Sequence, residues 1–335
     1  TGTNGKSTTT ALTAHILASS GRNVQMGGNI GRAVLSLDGL SNDKTYVVEC
    51  SSYQIDLAPT LDATIGVLLN LAPDHLDRHG TMKNYASIKA KLVEQAQHAI
   101  IGVDDSFTKD IASEFSGNNL SLVSVKQELE DGVISIGEDV VFAEKGVHTK
   151  IASVESIASL RGQHNMQNAC ISSQVCRIAG LSNLEIQNGL NSFPGLAHRM
   201  EVLGDVGQIR YVNDSKGTNA DAAAMALESF EDIYWIAGGL PKEGGIEPLR
   251  PYFGNIVKAY LIGQAASEFA ATLGKDVPFE MADTLDVAVE RAAADASAAG
   301  KGVVLLSPAC ASLDMFDNFE ARGDIFSRAV EALEP

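Results

Sequence analysis

The feature that most constrains this chain is its first eight residues, a glycine-containing loop that leads directly into a helical pattern. The loop consists of Thr1, Gly2, Thr3, Asn4, Gly5, Lys6, Ser7 and Thr8. In loops of this kind, backbone N–H groups and the helix N-terminus face phosphate oxygens. Lys6 is then placed to reach the β- and γ-phosphates of a nucleotide, and Ser7 to bind Mg²⁺. A helix-capping loop with an incidental lysine is the alternative.

The part of the phosphate-loop pattern that this sequence lacks indicates how the chain is organised. The first glycine of the complete pattern, G-x-x-x-x-G-K-[ST], would fall before residue 1, and such a loop normally follows a buried strand. We therefore expect the chain to be part of a longer protein. Its length of 335 residues predicts about two domains.

The amino-acid composition argues against nucleic acids and membranes as binding partners. The chain has 42 acidic and 25 basic residues, a net charge of −17, which argues against a general nucleic-acid or anionic-membrane surface. It contains no apolar run of about 18 residues, so we expect no membrane span. The cysteines lack the paired spacing of a metal site and are expected to be reduced and buried; they are Cys50, Cys170, Cys176 and Cys310. These features predict a cytoplasmic monomer that binds neither nucleic acid nor membrane.

Apolar, β-rich runs alternate with helical patterns in the first half of the chain, which predicts βαβ units and a mostly parallel sheet covered by helices. The predicted strands are residues 46–50, 64–69 and 99–103, and the predicted helices are residues 7–19, 84–97 and 164–179. Residues 121–155, with a Glu130-Asp131-Gly132 turn, predict a small antiparallel insertion.

A Pro194-Gly195 pair interrupts the pattern and predicts a boundary between domains 1–195 and 196–335. The second domain repeats the α/β alternation. Its predicted strands are residues 209–213, 233–237, 257–262 and 303–306, and its predicted helices are residues 220–227, 265–273, 285–298 and 316–332. In open sheets of this kind, ligands bind at the carboxyl ends of the strands.

Polar residues at predicted strand ends are candidates for metal binding in the first domain. Glu49 ends a strand and could hold Mg²⁺, or could be a solvated charge. His75 lies in a polar loop after the next strand and could be a second metal ligand or a structural histidine. Lys89 and Lys91 lie on one predicted helix. One of them could form a carbamate with CO₂ and bind Mg²⁺, although lysines on such a helix are ordinarily solvated.

Two polar loops follow strands in the second domain. The first, residues 213–219, is dense in Asp, Ser, Lys and Thr, which favours ligand binding. Thr218 or Asn219 could instead cap the helix that follows. The second loop, residues 307–312, offers hydroxyl and N–H groups suited to a carboxylate, or to capping of the next helix.

Taken together in chain order, these residues resemble the ATP-dependent Mur ligases of peptidoglycan synthesis. The residues that carry the resemblance span the chain: Gly2-Thr3-Asn4-Gly5-Lys6-Ser7, Gly28-Asn29-Ile30-Gly31, Glu49-Cys50-Ser51-Ser52, Asp74-His75-Leu76-Asp77, Gly162-Gln163-His164-Asn165, His198-Arg199 and Asn213-Asp214-Ser215-Lys216. The resemblance implies a central phosphate-loop ATPase domain with a mostly parallel sheet, followed by a Rossmann-like α/β domain. It also implies that an N-terminal UDP-binding domain is absent from this chain.

Within the family, residues 307–314, Ser-Pro-Ala-Cys-Ala-Ser-Leu-Asp, resemble the members that add D-glutamate. The implied reaction transfers the γ-phosphoryl group of ATP to the carboxylate of UDP-N-acetylmuramoyl-L-alanine. The amine of D-glutamate then attacks the acyl phosphate to form an amide, releasing phosphate. Such a transfer depends on positive charge and positioning more than on covalent help from the protein.

The resemblance also implies roles for individual residues. The implied catalytic residues are Lys6, Lys89, His75 and Lys216. Mg²⁺, as two ions, would be bound by Ser7, Glu49, His75 and carbamylated Lys89. ATP would be bound by the phosphate loop from Gly2 to Thr8 and by Asn165, Asn168, Arg199 and Asp214. The substrates would be bound by Asn29, Ser51, Thr218, Lys242, Ser312 and Phe319.

Three alternatives remain at this stage. Another Mur ligase would differ chiefly in the second domain. A folylpolyglutamate synthetase-like ligase would share the phosphate loop and domain order, but gives no reason for the run at residues 307–314. A non-catalytic nucleotide-binding fragment would have no need of both metal ligands and the lysine. We expect the residues to encode an active ligase whose isolated fragment turns over poorly.

Overall fold

The computed structural model describes residues 1–117, 119–242 and 244–333, which form two compact units, Thr1–Pro194 and Gly195–Pro335. Each unit is built around a sheet that is mostly parallel and covered by helices, which confirms the expected α/β class. Among the described residues, none of the helices combines the length and apolar character of a membrane span.

The first unit alternates helices with strands. In chain order its elements are α1 (Lys6–Ser19), β1 (Asn23–Gly28), β2 (Lys44–Glu49), α2 (Ser52–Asp56), β3 (Ile65–Leu68), α3 (Leu76–His79), α4 (Met82–Glu94), β4 (His98–Gly102), α5 (Ser106–Glu114), β5 (Leu120–Ser124), β6 (Gly132–Ile136), β7 (Asp139–Glu144), β8 (Val147–Ser153), α6 (Gln163–Ile178) and α7 (Asn183–Asn191).

The main sheet of this unit has the strand order β3-β4-β5-β6-β7-β8. Pairing is parallel from β3 to β6 and antiparallel from β6 to β8. The expectation of a small antiparallel insertion at residues 121–155 was therefore wrong for β5, which pairs in parallel with both β4 and β6. The Asp104 carboxylate accepts hydrogen bonds from the Val125 and Lys126 N–H groups, which holds the end of β5 beside β4 and continues the parallel order.

The first residues of the phosphate loop lie beside the carboxyl end of β3. Thr1 N–H donates to the Val67 carbonyl and Leu69 N–H donates to the Thr1 carbonyl, at 2.8 and 3.0 Å. Residues 1–3 therefore run parallel to β3 along its edge. Beside them, β1 and β2 form a separate parallel pair that ends at Gly28 and Glu49.

The second unit repeats the alternation. Its elements are β9 (Glu201–Val206), β10 (Ile209–Asn213), α8 (Ala220–Glu228), β11 (Ile233–Gly238), β12 (Ile256–Ile262), α9 (Ala266–Leu273), β13 (Phe279–Met281), α10 (Leu285–Ala299), β14 (Gly302–Leu306) and α11 (Phe319–Glu331). The strand order is β13-β12-β11-β14-β10-β9. Among the described strands of this sheet, only β9 runs antiparallel to its neighbour.

Apolar side chains fill both faces of this second sheet, as expected for parallel strands covered by helices. Trp235 and Leu305 lie on one face with Phe269 of α9, and Tyr260 and Leu306 lie on the other with α10 and α11. The cysteines are free and buried in both units, as the sequence predicted.

We predict that Gly189→Ala destabilises the first unit by about 1–3 kcal/mol, the usual cost of overpacking a core. Gly189 lies in α7, where a Cβ atom would come within 2.8 Å of the Ile16 Cα of α1. This clash outweighs the gain of about 1 kcal/mol that alanine brings to a helix. The measurement is the free energy of unfolding in urea.

The matched control is Gly254→Ala, because a Cβ atom there would meet nothing within 4 Å. We expect this control to change the free energy of unfolding by less than about 0.5 kcal/mol. Equal effects of the two substitutions would contradict the packing described for α7 against α1.

Candidate functional site

The phosphate loop is held by hydrogen bonds from the loop after β3 and by contact with α6. Gly5, at the N-terminus of α1, adopts φ 78°, a left-handed conformation that favours glycine. A Cβ atom on Gly5 would lie 2.4 Å from Asn168 Oδ1, so only glycine fits there. Asn4 N–H donates to Asn70 Oδ1 at 2.9 Å. Lys6 Nζ donates to the Thr3 carbonyl at 2.7 Å, which places its charge over the loop.

Ser7 and Glu49 bring the phosphate loop and the end of β2 together. The Ser7 hydroxyl donates to Glu49 Oε2 at 2.6 Å, and the Asn29 amide donates to Glu49 Oε1 at 3.2 Å. Glu49 is 3% exposed. The alternative of a solvated charge at a strand end therefore does not apply to Glu49. A hydroxyl and a carboxylate in contact beside a phosphate loop are the hard oxygen donors that suit Mg²⁺.

A series of side-chain hydrogen bonds connects the phosphate loop to the end of β4. Asn70 Nδ2 donates to Gln167 Oε1 at 2.9 Å, and Gln167 Nε2 donates to Asp104 Oδ2 at 3.1 Å. Asn70 is the first residue of the polar loop that carries His75, whereas sequence reasoning selected neither Gln167 nor Asp104. Gln167 is found in the sequence only as a polar residue between Asn165 and Asn168, and nothing in the pattern of the chain indicates its contact with β4 and β5.

The structure separates the two lysines of α4. Lys89 is 2% exposed, and its Nζ donates to the Gly2 carbonyl at 2.6 Å and to Thr1 Oγ1 at 3.2 Å. Burial and the nearby Lys6 charge lower the pKa of Lys89 to about 7. Lys91 instead lies 3.9 Å from Asp56 in an ion pair, with 43% of its side chain exposed. Lys89 is therefore the lysine placed beside the phosphate loop.

His75 lies in the loop before α3, with φ 52° and about half of its side chain exposed. Its ring nitrogens contact the Tyr53 hydroxyl at 3.4 Å and Asp74 Oδ2 at 3.4 Å. The described contacts of its side chain do not include Glu49 or Lys89. No group of three His, Cys, Asp or Glu side chains in the described part of the chain is arranged to hold a metal ion.

A second histidine, His79, was not selected from the sequence. It is 3% exposed, its Nε2 lies 2.9 Å from the Ser52 hydroxyl, and its ring packs against Tyr53 and Tyr85. Burial lowers its pKa below the ordinary value, so the ring is neutral at neutral pH. It connects α2, α3 and α4 behind the loop that carries His75.

The other candidates of the first unit lie on helix ends. Asn165 and Asn168 lie in the first turns of α6, where Asn168 Nδ2 donates to Asn165 Oδ1 at 3.1 Å. Thr9 of α1 donates to Asn168 Oδ1 at 3.0 Å, so this pair is joined to the phosphate-loop helix. The hydroxyl of Ser51 caps α2 through Gln54, a local role that the sequence had not indicated.

In the second unit the loops after β10 and β14 meet at Asp214. Ser307 Oγ donates to Asp214 Oδ2 at 2.7 Å, and Met200 N–H donates to Asp214 Oδ1 at 3.2 Å. Asp214 is 7% exposed, and burial raises its pKa to about 7. Ala309 N–H donates to the Gly217 carbonyl at 2.8 Å, which ties the same loops a second time.

The remaining candidates of this unit surround those loops. Lys216 Nζ lies 4.0 Å from the centre of the Phe319 ring, at the start of α11. Asn219, and not Thr218, caps α8, since Asn219 Oδ1 accepts a hydrogen bond from Ala222 N–H at 2.8 Å. Ser312 is 3% exposed.

Two more candidates lie on neighbouring loops of the second unit. Lys242 is exposed on the loop after β11, whose Leu240 N–H donates to the Ala311 carbonyl at 2.9 Å. Arg199 lies in the turn before β9, where its N–H donates to the Leu196 carbonyl. Asn318 caps α11, so the run at residues 307–312 does not serve as that cap.

Four of the seven described non-glycine residues with positive φ lie in the same loops. His75, His198, Met200 and Ala309 have φ values between 46° and 61°, a region that non-glycine residues rarely adopt. Such conformations persist where the surrounding structure fixes them, and they cluster at functional sites. The Asn213 amide and the Gly323 backbone hold the His198 ring in place.

We predict that Asp214→Asn increasingly stabilises the second unit as pH rises from about 4 to about 8. The folded-state pKa of Asp214 is about 7, above its ordinary 3.8, so the unfolded chain releases this proton first. The stability that this group contributes is complete below the unfolded pKa and is lost as pH rises through about 7. Each pKa unit of difference corresponds to about 1.4 kcal/mol. The measurement is urea unfolding at several pH values.

Asp205→Asn is a control for which we expect the opposite change of stability with pH. A hydrogen bond from Arg210 lowers the pKa of Asp205, which is half exposed, so its asparagine variant loses a small amount of stability at neutral pH relative to low pH. A stability difference for Asp214→Asn that does not depend on pH would show that this carboxyl group is ionised in the folded protein.

Comparison with protein-family models matches residues 1–176 to the Mur ligase middle domain and residues 198–310 to the Mur ligase, glutamate ligase domain. A UDP-N-acetylmuramoylalanine--D-glutamate ligase of Mesorhizobium japonicum is 60% identical over 100% of this chain, which covers 72% of that relative. The corresponding ligase of Agrobacterium fabrum is 57% identical over 100% of this chain and 72% of its own length.

Solved structures of Mur ligases share the fold at much lower sequence identity. A MurF ligase from Thermotoga maritima, in complex with ADP, matches with a TM-score of 0.71 at 18% identity, over 99% of this chain and 79% of its own. A MurF from Acinetobacter baumannii matches with a TM-score of 0.74 at 16% identity, over 98% and 75%. With family models matched in both units and relatives above 50% identity along its whole length, this chain belongs to the Mur ligase family.

Proposed function

We propose that this chain carries the ATP-dependent ligase activity that adds D-glutamate to UDP-N-acetylmuramoyl-L-alanine through an acyl phosphate, releasing ADP and phosphate. The observation that carries the proposal is the 60% identity to a UDP-N-acetylmuramoylalanine--D-glutamate ligase, which extends over both units. Residues 1–195 are the ATP-binding domain and residues 196–335 bind the incoming amino acid. We further propose that it acts in the cytoplasm as a monomer.

The phosphate loop binds the triphosphate of ATP in this proposal. Lys6 already lies over the loop through its bond to the Thr3 carbonyl, so its charge can move onto the β- and γ-phosphates over a short distance. Asn165 and Asn168 would contact the nucleotide from the start of α6. Asn29, bound to Glu49, and Ser51 would contact the muramoyl-alanine substrate.

Mg²⁺ fits the oxygen donors at the end of β2. Ser7 and Glu49, joined at 2.6 Å, would hold one ion, and His75 and a carbamate on Lys89 would hold a second. Bound there, the ions would neutralise charge on the transferring phosphoryl group. In the present arrangement His75 contacts Tyr53 and Asp74, so its proposed role requires a change in its side-chain conformation.

The environment of Lys89 supports the carbamate. An amine must lose its proton before it attacks CO₂, and burial together with Lys6 lowers the pKa of Lys89 to about 7. The neutral nitrogen then bonds to the carbon of CO₂, one C=O π-electron pair moves onto oxygen, and a second proton leaves the nitrogen. With the loss of two protons in all, the ammonium cation becomes a carbamate anion. This anion would lie beside Lys6 and within reach of the phosphate loop.

The second unit would receive D-glutamate. Ser312 and Phe319, with Lys242 and Thr218, would surround its carboxylates, and Lys216 would stabilise the acyl phosphate. Asp214 and Arg199 would contact the nucleotide. The cationic Lys216 lies against the Phe319 ring at 4.0 Å, which limits its freedom before substrate binds.

The first experiment measures phosphate release by this chain with MgATP and UDP-N-acetylmuramoyl-L-alanine, comparing D-glutamate, L-glutamate and a diamino acid. We expect release that depends on D-glutamate. Preference for another amino acid would overturn the assignment of D-glutamate. A chain that releases no phosphate with any of the three would not carry the proposed activity by itself.

We predict that Lys89→Met lowers kcat by at least about a hundredfold, a size typical for loss of a group that stabilises charge in the transition state. Lys91→Met, the matched control on the same helix, should change kcat by less than about threefold because the Lys91 side chain is 43% exposed and its ammonium pairs with Asp56. The two variants are compared by steady-state phosphate release.

A second measurement examines the modification directly. Isotopically labelled bicarbonate should give a carbamate carbon signal by NMR in the wild type and in Lys91→Met, and none in Lys89→Met. A signal that survives in Lys89→Met would exclude Lys89 as the modified residue.

A further inference from the structure

A buried arginine lies behind the loops of the second unit. Arg322 of α11 is 0% exposed and is among the largest fully buried side chains of the protein. Its Nε donates to Ser215 Oγ at 3.0 Å and its Nη2 to the Ser215 carbonyl at 2.7 Å. Nη1 and Nη2 both donate to the Cys310 carbonyl at 3.2 Å.

This guanidinium is neutralised by dipoles and not by a paired carboxylate. Across residues 1–117, 119–242 and 244–333, the structure shows no ion pair with Arg322, although Asp314 and Asp214 act on its charge at longer range. Burial lowers the pKa of Arg322 to about 10, so the group remains charged at neutral pH. A buried charge is costly unless its donors are satisfied, and here the Ser215 hydroxyl and two backbone carbonyls accept hydrogen bonds from all three guanidinium nitrogens.

The two carbonyls belong to the two loops that carry the proposed substrate residues. Ser215 directly precedes Lys216 in the loop after β10, and Cys310 lies two residues before Ser312 in the loop after β14. The Ser215 hydroxyl also donates to the Phe319 carbonyl at 2.7 Å, at the start of the helix that carries Arg322. A single side chain therefore joins three segments.

Other contacts between these loops lie on either side of Ser215 and Lys216. Ser307 binds Asp214 and Ala309 binds Gly217, and neither of these hydrogen bonds involves Arg322. Loss of the guanidinium would leave those contacts in place. It would remove the link between Ser215, in the loop of Lys216, and Cys310, in the loop of Ser312, since no other described hydrogen bonds join these two residues.

We propose that Arg322 is a positioning residue for the amino-acid half of the reaction, because it fixes the loop of Lys216, the loop of Ser312 and Phe319 relative to one another. This inference rests on the proposed function. Arg322 acts through these residues and does not contact substrate. Its planar fork reaches both carbonyls at once, which the single ammonium group of a lysine cannot reproduce.

The kinetic test compares Arg322→Lys with Arg328→Lys, a control on the same helix whose side chain is exposed. We expect Arg322→Lys to raise KM for D-glutamate by about tenfold to a hundredfold, the range for groups displaced by up to an ångström. KM for ATP should stay within about threefold, because Ser307 and Met200 still hold Asp214. The control should leave both values unchanged.

A purely structural role gives a different result. If Arg322 only stabilises the fold, Arg322→Lys lowers kcat in proportion to the folded fraction and leaves both KM values unchanged, which would overturn the inference. Arg322→Met tests the same point at lower temperature if the unit still folds, and it should raise KM for D-glutamate further than Arg322→Lys.

Hydrogen–deuterium exchange tests the geometry without turnover. Arg322→Lys should speed exchange in peptides covering residues 213–219 and 307–316 together, while α10 and the central strands keep their protection. Faster exchange in only one loop, or uniformly across the second unit, would overturn the inference. If the wild type shows no phosphate release with D-glutamate, the proposed function fails by itself, and exchange alone then decides whether Arg322 joins the loops.

Discussion

Polar groups buried at the carboxyl ends of strands must be hydrogen-bonded, and this requirement shapes both units. A buried carboxylate or amide without a partner costs on the order of 1–3 kcal/mol, so each one is held by a second loop. In the first unit Glu49 is satisfied by Ser7 and Asn29. In the second unit Asp214 is satisfied by Ser307 and Met200. Segments far apart in sequence are brought together by these few bonds.

The two units meet the requirement differently. In the first, neutral amides carry the connections from Asp104 through Gln167 to Asn70 and the phosphate loop. In the second, the charged guanidinium of Arg322 binds backbone carbonyls directly. A buried charge cannot lose its acceptors without a large penalty.

The sequence predicted the α/β class, the main strands and helices to within a few residues, and the loops that carry the candidate site. Those features depend on local patterns: apolar strands, glycine at a helix start and polar residues at strand ends. It missed β1, β9 and β13, which contain glycines or exposed positions or span only three residues. It also missed the helices α2, α3, α5 and α7, none of which is longer than nine residues. It also missed Gln167 and Arg322, because their roles depend on contacts between distant segments. The residue pattern alone left Lys89 and Lys91 open, and the choice of Lys89 came from the family resemblance.

The burial of the cysteines gives each unit its own chemical reporter. Cys50, Cys170 and Cys176 lie in the first unit and Cys310 in the second, and burial raises the pKa of every one of these thiols. Since only the thiolate reacts with alkylating reagents, labelling must wait for local opening that admits water. The rate of alkylation at Cys310 therefore reports opening of the second unit, and the rates at the other three report opening of the first, without any introduced label.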